Sequence, residues 1–150
     1  MMTEKRPVFE ELALGSVETP LGPVWVATSE TGVRVMTVPN ATEADCIAEA
    51  SKKNRVICRH DQPSELLDQV LAELRGYFAG TLTVFTSPLD LRGTPFQLRV
   101  WNAVAAVPYG ATVTYREIAE RIDAPNAFRA VGAANGANPA AIIVPRHRII

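Results

Sequence analysis

The sequence is short of cysteine, histidine and aromatic side chains, and it has no long apolar run. Two cysteines, Cys46 and Cys58, are too few for the disulfide framework of a small secreted domain. Together with His60 they offer three soft ligands, fewer than the roughly four a structural zinc site needs. Neither a metal nor a cofactor is therefore expected, and both cysteines read as small core or surface residues. No apolar stretch approaches the roughly 20 residues that cross a bilayer. Met1–Leu12 is mixed and acidic rather than basic and then hydrophobic. These absences exclude a membrane partner and place the chain in the cytoplasm. Lysine is missing from residues 91–150, where seven arginines face three acids, net +4; residues 1–90 carry eight Lys or Arg against thirteen Asp or Glu, net −5. Arginine's rigid fork suits phosphate, so the basic part fits contact with nucleic acid on one face. A field of this size also suits an ordinary solvated surface.

What is present is a globular composition, 150 residues with 47% apolar content, enough for one domain or two small ones with a real core. Residues 14–18, 23–28 and 33–38 are short Val-rich segments, two of them separated by the turn Ser29-Glu30-Thr31-Gly32, and they predict a β-meander. Thr42 with Asp45 three residues on predicts a capped helix over 42–53. Residues 55–59 read as a further strand. Leu67, Val70, Leu71, Leu74 and Phe78 recur at helical spacing, with Ser64 as cap and Gly80 as stop, so 64–79 reads as a helix. Residues 82–86 read as strand. This gives an α/β or α+β unit over residues 1–88.

Ser87–Gly93 reads as a linker, and from there to residue 150 the pattern is helical. Thr94-Pro95-Phe96-Gln97 combines a cap, proline at the first helical position and a glutamine that closes a capping box. Phe96, Val100, Val104 and Val107 share a face, with Trp101 buried too. Thr114–Glu117 predicts a second capping box, opening a helix to about Ile122. After the turn 123–126, with Asn126 as cap, a third helix runs to about Asn135-Gly136. Two short helices across a short turn make a helix-turn-helix.

Several residues admit a structural and a functional reading. The third helix is built of small residues around Arg129, which suits close packing with a solvated arginine, or close approach to a groove. Tyr115 reads as a half-buried amphipathic residue or a contact residue. Asn138 reads as a helix-end or turn residue. Ile142–Val144, bounded by prolines, reads as a short strand that ends at Pro145 and presents Arg146-His147-Arg148, either a basic corner or polar chemistry at the end of a buried segment.

The run from Asn138-Pro139 through Val144-Pro145-Arg146-His147-Arg148 resembles the active-site signature of the O6-alkylguanine-DNA alkyltransferases, the methylated-DNA-protein-cysteine methyltransferases, in which Pro-Cys-His-Arg carries the alkyl-accepting cysteine. Arg146 stands at the cysteine position. The similarity extends through Asp90–Phe96, Arg99-Val100-Trp101, Pro108-Tyr109-Gly110, Tyr115, Ile118-Ala119 and Arg129-Ala130-Val131-Gly132, and more loosely back to about Gly15. It implies a small sheet domain followed by a DNA-binding domain with a helix-turn-helix. The implied partner is double-stranded DNA, including DNA that holds O6-alkylguanine, together with other repair proteins.

By the same resemblance, the third helix enters the minor groove and Arg129 intercalates where the base has been flipped out. Tyr115 contacts the phosphate of the flipped nucleotide. Asn138 is the hinge that holds the helix-turn-helix against the active-site segment. His147 matches the histidine that activates the thiolate, and Arg148 joins the DNA-binding set. Alkyl transfer needs a thiolate. Arg146 cannot substitute, because a guanidinium stays protonated to a pKa above roughly 12 and has no free lone pair. The family pattern continues past the position of Ile150 with a pocket wall and the glutamate partner of the histidine, so acceptor and acid are both expected to be lacking. The resemblance thus implies a lesion-binding protein without alkyl transfer, like the alkyltransferase-like proteins. Its alternatives are an inactive or decaying alkyltransferase homologue, an active-site variant of a suicide methyltransferase with no lesion selectivity, and a protein-interaction module.

Overall fold

The structure is a computed structural model that describes residues 9–150. Glu10–Val17 (β1), Val24–Thr28 (β2) and Val33–Met36 (β3) form the expected antiparallel meander. Val56–Arg59 (β4) joins the other side of β1 in parallel, giving the order β3-β2-β1-β4. A parallel partner needs a crossover rather than a hairpin. Glu43–Ala50 (α1) supplies it and packs Cys46 and Ala50 on Leu12, Leu14, Ala27 and Val35. Its start is the reciprocal capping box of Thr42 and Asp45, a device worth about 1 kcal/mol.

Glu65–Phe78 (α2), capped by Ser64, covers the opposite face of the sheet with Leu67, Val70 and Leu74. The same apolar cluster continues without a break into the helical part, through Val100, Trp101, Val104, Ile118, Val131 and Val144. Pro95–Ala105 (α3) begins at the Thr94/Gln97 capping box with Pro95 in the first turn, as its sequence predicts. Tyr115–Arg121 (α4) and Phe128–Gly136 (α5) complete the helix-turn-helix. The mixed sheet-and-helix class read from the sequence is the class observed. No helix among the described residues is long and apolar enough to cross a membrane.

Four local expectations are corrected. Residues 82–86 form no strand, because no neighbouring strand offers a ladder. They are held by Glu73 on α2, whose carboxylate accepts from Thr86 N (2.9 Å), Thr86 Oγ1 (2.8 Å), Ser87 N (3.2 Å) and Ser87 Oγ (2.5 Å). Ile142–Val144 lie in a turn, not a strand, since the Val144 N–H bonds back to the Ala140 carbonyl (2.9 Å); Ala140 alone makes a bridge, to Met36. Asn126 is not the cap of α5: Ala127 occupies that place and no side chain bonds there. Thr114 accepts from Glu117 N (3.1 Å), but Glu117 returns no bond, so only half of that capping box forms.

Candidate functional site

The helix-turn-helix is fixed from behind. Trp101 is 3% exposed and donates its indole N–H to the Ala134 carbonyl (2.8 Å), tying α3 to α5. The ring lies so close to Gly93 that a Cβ there would stand 2.6 Å from it, so the linker needs glycine at this point. Arg99 donates to the Ile122 carbonyl at the end of α4. Asp123 then turns the chain through a positive φ of 59°, a conformation aspartate tolerates better than most residues. Arg116 stacks on the Phe128 ring at 4.3 Å and joins the first turns of α4 and α5. Arg129 is exposed in the first turn of α5, and no hydrogen bond or ion pair within the described residues engages it. Ala130, Ala133 and Gly136 on the same helix are exposed and small, so the outward surface of α5 is low and carries one long cation.

Behind α5 the chain doubles back. Asn138, 7% exposed, donates Nδ2 to the Val144 carbonyl (2.9 Å) and accepts the Ala140 N–H at Oδ1 (2.9 Å), closing the 140–144 turn. Met36 on the outer strand β3 donates to the Pro139 carbonyl (2.9 Å) and accepts from Ala141 (3.2 Å), which fixes this turn to the sheet. A 3-10 turn, Arg146–Arg148, follows Pro145, and Ile149 then bridges to Val113.

These constraints bring Tyr115, Asn135, Arg146 and His147 around one cleft of about 610 Å³, with Ile142 and, from α2, Tyr77 and Phe78 among its walls. Arg146 donates Nη1 to the Gly136 carbonyl at 3.3 Å. Partial burial, and secondarily the charge of Arg148, lowers the His147 imidazole below its ordinary pKa, which favours its neutral form. Arg148 lies outside this cleft; it donates to the Val107 carbonyl (2.8 Å) and stacks at 5.5 Å on Tyr109. Of the residues singled out in the sequence, then, Tyr115, Arg146 and His147 share the cleft. Arg129 stands on the outer surface of α5, Asn138 is the clamp behind it, and Arg148 buttresses the end of α3.

Sequence reasoning missed Asn135, Tyr77 and Phe78. Asn135 had a weak signal, a polar residue of poor helix propensity inside a helix. Phe78 had none, since it reads as the core face of α2, and Tyr77 beside it had none either. No thiol lines the cleft. Burial pushes the Cys46 thiol up to about 12, and burial also raises Cys58. Among the described residues no three His, Cys, Asp or Glu side chains converge to hold a metal.

Two family models match the chain. Residues 12–91 match the 6-O-methylguanine DNA methyltransferase ribonuclease-like domain, and residues 95–150 match the DNA binding domain of the same enzyme. A methylated-DNA-protein-cysteine methyltransferase of Mycobacterium bovis is 63% identical over 78 residues, 52% of this chain and 47% of the relative. The chain thus spans about half the length of that mycobacterial relative. One from Methanosarcina acetivorans is 41% identical over 133 residues, 89% of this chain and 80% of the relative. Among solved structures, the O6-methylguanine methyltransferase of Mycobacterium tuberculosis superposes with a TM-score of 0.74 at 39% identity, covering 93% of this chain and 78% of the other. The M. tuberculosis protein OGT in complex with DNA superposes with a TM-score of 0.71 at 38% identity and the same coverage. With both family models in register, and an archaeal relative similar over most of both chains, this chain belongs to the methylated-DNA-protein-cysteine methyltransferase family.

Proposed function

We propose that this chain binds duplex DNA through the minor groove along α5 and seats a flipped O6-alkylguanine in the cleft without accepting the alkyl group. The observation that carries the reading is a cleft that holds Arg146 with Tyr115 and His147 and no thiol; by the resemblance, Arg146 stands at the family's cysteine position. A volume of about 610 Å³ falls within the range of small-molecule sites and accommodates a purine. In this reading Arg129 is inserted in place of the flipped base, Tyr115 meets its phosphate, and Asn138 keeps α5 and the cleft in register. Residues 1–88 support the cleft as a sheet domain, and 89–150 bind the DNA. Arg148 contributes positive charge at the edge of that surface. The relative solved with DNA supports the partner. The place of action is the cytoplasm, and a lesion held but unrepaired is passed to other repair proteins.

Titration against duplexes with and without a single O6-methylguanine tests the reading. Tighter binding of the lesion duplex is expected, and equal binding removes lesion recognition. One observation favours the second reading, an inactive homologue without lesion selectivity: the Arg146 guanidinium brings bulk and unspent N–H donors to the cleft, and unmodified guanine offers O6 and N7 as acceptors for such donors. Equal binding of the two duplexes is the outcome that reading expects.

A further inference from the structure

Three buried side-chain oxygens lack a hydrogen-bond partner among the described residues, on Thr28, Gln62 and Asn135, and of these only Asn135 lines the cleft. Asn135 is 4% exposed. Its Nδ2 points to the Arg146 carbonyl over 3.5 Å, a long hydrogen bond, and this leaves Oδ1 as the free end of the carboxamide. Buried acceptors without donors are costly and uncommon, so one beside an open cleft asks for a donor from outside the protein. The cleft's own cation does not supply it, because Arg146 is turned to the Gly136 carbonyl.

The chemistry of the missing donor follows from the base. Alkylation at O6 removes the N1 proton of guanine, and the 2-amino group is then the remaining N–H donor on the pairing edge. We propose that Asn135 Oδ1 accepts a hydrogen bond from the 2-amino group of a guanine-type base seated in the cleft, making Asn135 a specificity-determining residue. The inference rests on the reading of the cleft as the seat of a flipped base. Oδ1 is itself closed to solvent, so the proposal requires the carboxamide to turn about χ2, a soft torsion in asparagine, as the ring enters.

The test measures binding of the whole chain to four duplexes by fluorescence anisotropy, with guanine, hypoxanthine, O6-methylguanine or O6-methylhypoxanthine at one position. The hypoxanthine bases lack only the 2-amino group. Each guanine-type duplex is expected to bind about tenfold tighter than its hypoxanthine counterpart, a modest effect for a buried acceptor left unmet. A weaker base pair makes hypoxanthine easier to flip, which acts against this preference. Asn135→Leu, checked for folding by circular dichroism, is expected to lose the preference while still binding duplex. Should Asn135→Leu fail to fold, Asn135→Ala takes its place, and the comparison of bases on the unaltered protein remains decisive. Equal binding of guanine-type and hypoxanthine duplexes overturns the proposal, as does a preference that survives in the folded variant. Loss of preference for O6-methylguanine over guanine, with discrimination against hypoxanthine intact, sinks the lesion reading and leaves Asn135 standing. No binding to any duplex sinks both.

Discussion

At position 146 the difference between a guanidinium and a thiol decides which chemistry is open to the cleft. A thiolate displaces at carbon; a guanidinium donates hydrogen bonds and stays charged. The remaining thiols are poor nucleophiles, Cys46 with its pKa pushed up to about 12 by burial and Cys58 raised by burial as well, and both sit on the α1 side of the sheet. Incubation with stoichiometric O6-methylguanine duplex is therefore expected to leave the protein's mass unchanged; a gain of one methyl group at residue 146 or on either cysteine would falsify this. Tyr115, Arg146 and His147 were legible as a group only through the resemblance, and the fold brings the three side chains to one cleft. The orphaned oxygen of Asn135 was not legible, since satisfaction of a hydrogen bond depends on neighbours that only the fold assembles.

Among the elements, α5 is the one whose side chains are kept small on the outside while its inner face is tied to α3 by Trp101. Arg129→Ala is expected to weaken duplex binding roughly tenfold and to flatten the log–log salt dependence by about one, because one fewer counterion-displacing charge reaches the DNA. Anisotropy titrations between low and moderate salt read both quantities, and unchanged values would move the binding surface off α5. The stretch 82–87 illustrates a different dependence. Its Val and Phe suit a strand, yet it runs alone, and Glu73 replaces the absent ladder. Glu73→Ala leaves two backbone N–H groups and two hydroxyls without an acceptor and is expected to cost about 3 kcal/mol in urea unfolding. Helix starts at Thr42, Ser64 and Thr94 were legible because caps are local chemistry. The Ile142–Val144 turn was not, because β-branched residues bounded by prolines fit a turn clamped by a distant asparagine as readily as a strand.

Across the whole molecule, charge is concentrated where β1, β3 and the linker meet. Arg34, 3% exposed, is held by both oxygens of Glu10 (2.8 and 2.7 Å) and by Asp90 (2.9 Å and its carbonyl), with Arg92 at the rim. The bond from Arg34 lowers the Glu10 carboxyl. Burial alone would raise Asp90 and Glu73, but hydrogen bonds from Ser29 and Arg34, and from Ser87 and Thr86, outweigh it and lower both. Unfolded carboxyls titrate near roughly 4, so below that value the unfolded chain binds more protons than the folded one. This stability is present above about pH 4 and is lost as pH falls through the depressed folded values. Melting temperature should therefore drop steeply in that window. Arg34→Met should lower stability at pH 7 by about 3 kcal/mol and make the acid decline shallower. Thermal melts from pH 7 to 3 on both proteins check the pair of effects; identical acid slopes would place the linkage elsewhere.

The bridge between Met36 and Ala140 bears on how the molecule reaches its shape. Strands β1 to β3 close through short local turns, while Met36 and Ala140 meet only after most of the intervening chain has been gathered. Contacts of such large sequence separation are entropically late and slow. The sheet is therefore expected to form first and the cleft to take shape late in refolding. Of the two tryptophans, half-buried Trp25 lies in the sheet and buried Trp101 against α5, so their emission should change in two kinetic phases, the second marking the moment at which a base could first be held.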